Sequence, residues 1–366
     1  MNKLRVQSIM KSKKKFPHAM AQIFIFLPKF SAGVKKKGET RMSAENIVKN
    51  SFLNIEPIDL EYVGIKKDAL QGEVAVITGG ARNIGLGFAR AIAWAGGKVV
   101  IADILDEYGV EAERVINAEN GPDTALFVKT DMTKEEDVKN LAEKAFAKFG
   151  KVDILINNAM NMRLNGPVLG SSIEDLDQSY AISARGVMLA AKEFVPGMIE
   201  RKHGVVTYST TQFHYCPPMV GGSIYTAGKA AATSLIMSLA NEVKDTGVHV
   251  FCMVPAGVGR IDLSKMPPLP KGMEMPKLAM PGFDGMIPPE AGGAAMVYCI
   301  LHAEELHGSG IIINDAFEAM DFPYPNPSTL TIPKMEAKRL SDMELTMVFC
   351  NMGPGFKKEK TAKSST

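Results

Sequence analysis

The run Thr78-Gly79-Gly80-Ala81-Arg82-Asn83-Ile84-Gly85-Leu86-Gly87 follows a short apolar segment and leads into a second, helix-like one. Glycines in such a place let the backbone turn sharply and let an anion approach the free N–H groups at a helix N-terminus. A glycine-rich loop is often only a tight turn, so its context, buried strand before and helix after, is what points to a phosphate cradle. Asp103 ends the next apolar run, 18 residues beyond Gly85. A carboxylate there can accept both hydroxyls of an adenosine ribose and would repel a 2′-phosphate. Its bland alternative is a helix N-cap. Arg82 pulls the other way, since a cation beside the loop tolerates a 2′-phosphate; Asp103, facing that position directly, is expected to prevail. Farther on, Tyr225 and Lys229 stand four residues apart. On a helix that spacing puts a phenol and an ammonium on one face.

Positioning these groups requires a repeating frame, and the chain supplies one. Apolar runs at 73–78, 98–103, 124–129, 153–157, 205–209, 248–254 and 311–314 have the continuous character of strands buried on both faces. Longer amphipathic stretches separate them. Thr133 with Glu136 and Ser171 with Glu174 read as capping boxes, and Gly96, Gly150 and Gly247 as helix stops. Seven strands alternating with helices imply an α/β, doubly wound, parallel Rossmann-type sheet with helices on both faces, whose ligands sit at the carboxyl ends of the strands. The expected division is a basic extension and lead-in at 1–68, a nucleotide-binding catalytic domain at 69–318 and a C-terminal arm at 319–366.

Charge separates the extension from the body. Residues 1–41 hold nine lysines, two arginines and one acid, a net of +10, whereas the whole chain carries +2, which leaves −8 for the rest. A mildly acidic body argues against nucleic-acid binding. The leader fits either organelle targeting or sequence ahead of a start at Met42; a dispensable, disordered leader is the favoured reading. No apolar run is long enough for a membrane span. Cys216, Cys252, Cys299 and Cys350 form no CxxC pair. They read as small apolar fillers in a reducing compartment, the cytoplasm, and the six histidines show no metal-ligand spacing. At the other end, FPYPNP (322–327) breaks regular structure, so the arm is expected to lie on a partner subunit or fray in solvent.

Together these residues resemble the short-chain dehydrogenase/reductase family. The loop is similar to its TGxxxGxG signature, Asp131 to its adenine-contacting acid, Asn157-Asn158-Ala159-Met160 to its NNAG motif, and Tyr225 through Lys229 to its YxxxK. Pro255-Ala256 resembles the PG after the sixth strand, and Gly308 with Asp315 the terminal TG…DGG stretch. The likeness runs in unbroken order over 70–316. Tyr62 and Lys66 also spell YxxxK, but where the fold gives it no meaning. The chain departs from the pattern at Asn83, Met160, Ser183 (for an Asn that holds a relay water), Ala256, Ala316 and Phe317. Asn tolerates positive φ, so the loop can keep its turn at Asn83. The family's strand-end Ser aligns with Thr210, 15 positions before Tyr225, with Ser209 the other choice.

What the resemblance implies is hydride transfer between NAD (NADP second) and a secondary alcohol or ketone. Tyr225, Lys229, Thr210 and Ser183 would form the catalytic set. Thr78, Gly79, Arg82, Asn83, Ile84, Gly85, Asp103, Asp131, Met132, Asn158, Ala159, Tyr225, Lys229 and Pro255 would contact the cofactor. The Lys229 ammonium, with the positive charge of an oxidised nicotinamide, should draw the Tyr225 phenol from about 10 toward 7, while Thr210 holds the substrate oxygen. A Pro- and Met-rich stretch at 258–289, with Met266, Met273, Met275, Met280 and Met286, suits either an apolar substrate pocket or a packed loop. His214, Tyr215 and Cys216 are further pocket candidates. Stretches 176–200 and 223–243 resemble the family's dimer and tetramer contacts, implying a homo-oligomer. The departures leave a second reading: a catalytically weak member that binds nucleotide or stabilises a partner. Enoyl reduction and sugar epimerisation fit the Tyr–Lys and glycine spacings poorly.

Overall fold

The computed structural model describes residues 55–161, 164, 166–211, 222–259 and 280–329. Seven strands form one parallel sheet in the order β3-β2-β1-β4-β5-β6-β7. They are β1 (Val74–Thr78), β2 (Lys98–Asp103), β3 (Ala125–Lys129), β4 (Ile154–Asn157), β5 (Gly204–Ser209), β6 (Val248–Val254) and β7 (Gly310–Ile312). The helices, numbered as they occur in the described residues, are α1 (Asn83–Trp94), α2 (Asp106–Asn120), α3 (Glu135–Phe149), α4 (Ile173–Tyr180), α5 (Gly186–Arg201), α6 (Ser223–Glu242), α7 (Pro289–Leu301), α8 (Ala303–Leu306) and α9 (Ile313–Ala319). No described helix is long and apolar enough to cross a membrane.

The strands alternate between two hydrophobic layers. Val205 and Phe251 point into a core with α1, α2 and α7; Val206, Tyr208 and Cys252 point into another with α3, α5 and α6. Both faces being covered explains the unbroken apolar runs, since each buried Val or Ile contributes about 1.5–3 kcal/mol. The chain winds outward from β1 through β2 to β3, then crosses back to β4 on the other side of β1. That reversal opens a crevice at the strand ends, where doubly wound sheets hold ligands.

Several expectations change in detail. α3 is capped by Lys134 without a side-chain bond, so Thr133 forms no capping box; its hydroxyl bonds Asp131 instead. α4 starts one residue later than expected, with Ser172 accepting from the Asp175 N–H. β7 stops at Ile312 because Ile313 and Asn314 turn into α9, which runs through the family's Asp-Gly-Gly position. The ordered body also extends past 69–318. Leu60, Val63 and Ile65 join the α1/α7 core, and Glu56 offers its carbonyl to Arg90. Phe322 is buried there too, with Tyr324 edge-on to Phe283 and Phe317. Phe322 and Tyr324 of the C-terminal arm therefore pack on their own domain. Residues 1–41 and the tail beyond 329 lie outside the described residues.

Arg90 ties these pieces together from inside. Its guanidinium, 2% exposed, meets Glu119 of α2 at 2.5 Å and Glu290 of α7 at 2.9 Å as well as the Glu56 carbonyl. A buried charge with this many partners is satisfied; removing it would strand two carboxylates.

Candidate active site

At the nucleotide end, β1 and β4 are laced together by side chains. Thr78 Oγ1 accepts the N–H groups of Asn158 (2.9 Å) and Ala159 (3.1 Å), and Asn158 Nδ2 donates to the carbonyls of Thr78 and Gly79 at 3.2 Å. Thr78 and Asn158 thus act as braces of the loop. Gly85 has no room for a side chain: a Cβ would fall 2.0 Å from the Gly79 carbonyl oxygen. Asn83 keeps the left-handed turn, with φ 47°. α1 then begins from Arg82, an extended residue that gives no side-chain cap. Its first-turn N–H groups, Asn83, Ile84 and Gly85 among them, form the donor cradle that a pyrophosphate fits.

Asp103 is not a helix cap; Leu105 holds that place in α2. Its buried carboxylate accepts from the Ala81 N–H at 3.1 Å through one oxygen and from the Leu105 N–H at 3.1 Å through the other. Each oxygen retains a lone pair for a ribose hydroxyl. Arg82 is exposed, 5.9 Å from the Tyr108 ring centre. Asp131 closes its own turn by accepting from Thr133, while the Met132 side chain is buried in the α3 layer, which leaves only its backbone for a ligand. Pro255, half-buried, follows β6, and the next residue, Ala256, has φ 54°, a conformation costly for a residue with a Cβ. The cradle and the ribose acid both fit a dinucleotide.

At the other end of the crevice, α6 presents Tyr225 and Lys229 side by side, Nζ lying 5.9 Å from the phenol ring centre. The helix approaches α4 closely because Gly228 lacks a side chain; a Cβ would sit 2.4 Å from Ser179 Oγ and 3.2 Å from Ser183 Oγ. Ser183 lies in a π-helical segment, 181–185, between α4 and α5. Such bulges often mark functional sites. Its hydroxyl donates to the Met160 thioether at 3.6 Å. The two substitutions from the family pattern therefore touch: a smaller side chain at 183 makes room for a larger one at 160.

Thr210, the expected substrate-holding hydroxyl, is turned away. It is 2.5 Å from Thr233 Oγ1, whose own proton goes to the Lys229 carbonyl, so Thr210 is the donor of that pair. Ser209 faces the opposite layer, as strand alternation demands. The hydroxyl bonded to Tyr225 belongs to Thr211, just past the strand end. Its spacing of 14 residues from Tyr225 was the available signal, obscured by three consecutive hydroxyl residues.

Burial sets the charge states of the pair. Burial pushes the Tyr225 phenol up to about 12, with the Thr211 hydrogen bond only tempering the rise. Burial likewise lowers Lys229 to about 7. The phenol therefore holds its proton more tightly than a free tyrosine does, and the lysine its proton less tightly than a free lysine. His214, Tyr215, Cys216, Met266, Met273 and Met275 lie outside the described residues. Met280 packs against the α1/α7 core, and the Met286 methyl is within reach of Gly259. Glu73, Asp153 and His203 cluster at the far end of the sheet, where Lys151 (2.7 Å) and Arg201 (3.4 Å) already compensate Asp153.

The chain is similar to known proteins across this same region. A family model described as short chain dehydrogenase matches residues 73–265. Momilactone A synthase of Oryza sativa subsp. japonica is 35% identical over 201 residues, 54% of this chain and 70% of its own. A 3-ketoacyl-(acyl-carrier-protein) reductase from Brucella melitensis, solved with NADH, shares 28% identity at a TM-score of 0.57, covering 66% of this chain and 97% of that one. A metagenomic short-chain oxidoreductase, solved with NADP, shares 25% at a TM-score of 0.54, covering 67% and 97%. Fold and family model define an oxidoreductase of a class that uses a nicotinamide cofactor. The chain belongs to the short-chain dehydrogenase family.

Proposed function

We propose that this protein interconverts a secondary alcohol and a ketone using NAD(H). The observation that carries the reading is the convergence of Tyr225, Lys229 and the Thr211 hydroxyl at one end of a crevice whose other end holds Asp103. A bound nicotinamide ring would supply or accept the hydride. Thr211 would orient the substrate oxygen, and Tyr225 would exchange the proton at that oxygen. At neutral pH the phenol keeps its proton, the state needed to protonate a ketone oxygen, so the resting site suits reduction. Lys229 would steady the phenolate left behind. Ser183, held on the Met160 thioether, has a positioning role in this scheme.

NAD is favoured over NADP because the Asp103 carboxylate is buried and fixed by two backbone N–H groups, whereas Arg82 is exposed. The half-buried Met160 thioether beside the site favours a substrate with an apolar body. Exposed Tyr180, Met188 and Leu235 on α4, α5 and α6 support a homodimer or homotetramer through those helices. Buried free thiols at Cys252 and Cys299 fit a reducing compartment, the cytoplasm.

Fluorescence titration with NADH and NADPH, followed by a panel of alcohols and ketones, tests the proposal. NADH should bind more tightly, and Tyr225→Phe should abolish turnover while leaving NADH affinity nearly intact. Tighter NADPH binding would overturn the role given to Asp103; unchanged turnover in Y225F would overturn the chemistry.

A further inference from the structure

Lys229 is only 4% exposed, and no carboxylate pairs with it among the described residues. Each element around it offers something else. Its own helix offers the Tyr225 ring at 5.9 Å; β6 offers the Cys252 thiol; β5 offers the Ser209 carbonyl, to which Nζ donates, and the Tyr208 ring, 4.8 Å from Nζ. Burial holds Cys252 up at about 12 and Tyr208 well above the ordinary tyrosine range, so neither is an anion at working pH. Negative potential at the ammonium therefore comes from one carbonyl and from ring faces. A ring centre within about 6 Å of a cation attracts it through the ring quadrupole, more strongly when water is excluded. Tyr208 is also enclosed: it lies mid-sheet, paired with Asn157 on one side and Cys252 on the other, and is 1% exposed.

We propose that Tyr208 is a positioning residue for the reaction, its ring face holding the Lys229 ammonium charged and aimed beside Tyr225. The inference rests on Lys229 being the cation of the proposed site. The ring, not the hydroxyl, does this, because Nζ lies over the Tyr208 ring. Among the described residues two rings face Lys229, and that of Tyr208 is the nearer, 4.8 Å against 5.9 Å for Tyr225.

The test reads the lysine directly, without substrate or cofactor. Protein labelled with 13C at lysine Cε is titrated by NMR, the Lys229 signal being assigned by its loss in Lys229→Met. Wild type and Tyr208→Phe should titrate alike. Tyr208→Leu should titrate roughly half to one pH unit lower. Replacing Tyr208 with 3,4,5-trifluorophenylalanine, which keeps the shape and weakens the quadrupole, should move the midpoint the same way. It also decides the matter should Y208L fail to fold. An unmoved midpoint in the trifluoro variant would overturn the proposal, as would a Y208F midpoint shifted like that of Y208L. Because this titration is independent of turnover, its failure is distinguishable from inactivity on every alcohol and ketone, which would instead count against the hydride-transfer reading.

Discussion

Among the described residues two cations are buried, Arg90 and Lys229, and their surroundings differ. Arg90 is met by two carboxylates and a backbone carbonyl, in a corner where α1, α2, α7 and the lead-in converge. Lys229 is met by a carbonyl, two rings and a neutral thiol, at the mouth of the crevice. The first arrangement satisfies a charge and makes it part of the framework. The second leaves a charge under-compensated, so that burial brings its protonation near neutral pH. A group that must respond to chemistry cannot be paired as completely as one that only holds helices together.

The contrast can be broken most severely at the catalytic end. Tyr225→Phe should lower turnover by about 10³-fold or more, measured as NADH oxidation with an accepted ketone. Stability then separates the two cations by sign. Arg90→Ala should cost about 3–5 kcal/mol in urea unfolding, because two carboxylates lose their partner. Lys229→Met should instead stabilise the fold by roughly 2–4 kcal/mol at pH 7. The sign follows from the lowered lysine pKa: between about 7 and 10.5 the unfolded chain binds the extra proton, so wild-type stability rises with pH across that window. The advantage of Lys229→Met should therefore shrink toward pH 10; an advantage independent of pH would contradict the burial argument. Thr211→Ala should reduce kcat/KM by about 10²-fold. Thr210→Ala should leave kcat/KM nearly unchanged and cost only about 1 kcal/mol, its bond to Thr233. The smallest effect is expected at Ala256→Gly, which relieves a positive φ and should raise stability by up to about 1 kcal/mol in the same unfolding assay.

The parts of the molecule that could be read in advance are those governed by local backbone rules. β2 and β6 have the expected limits, because a strand buried on both faces must be a continuous apolar run. Asn83 keeps the loop turn at positive φ, which Asn tolerates. Helix starts were less legible. At Thr133 the side chain found a nearer acceptor in Asp131, and at Ser171 the neighbouring Ser172 took the cap. Residues 313–319 also escaped, since a short strand that bends directly into a helix carries no separating turn signal.

The amino-acid order determined the sheet, the cradle under the first helix and the shared face of Tyr225 and Lys229, since each follows from periodicity within a few turns of chain. Only the tertiary structure decided which of three adjacent hydroxyls meets the phenol, that Met160 and Ser183 fill one another's space, and that Lys229 rests on the Tyr208 ring. Side-chain direction at a strand end and the desolvation of a charge are set by elements far apart in sequence. Neither quantity exists until those elements have packed.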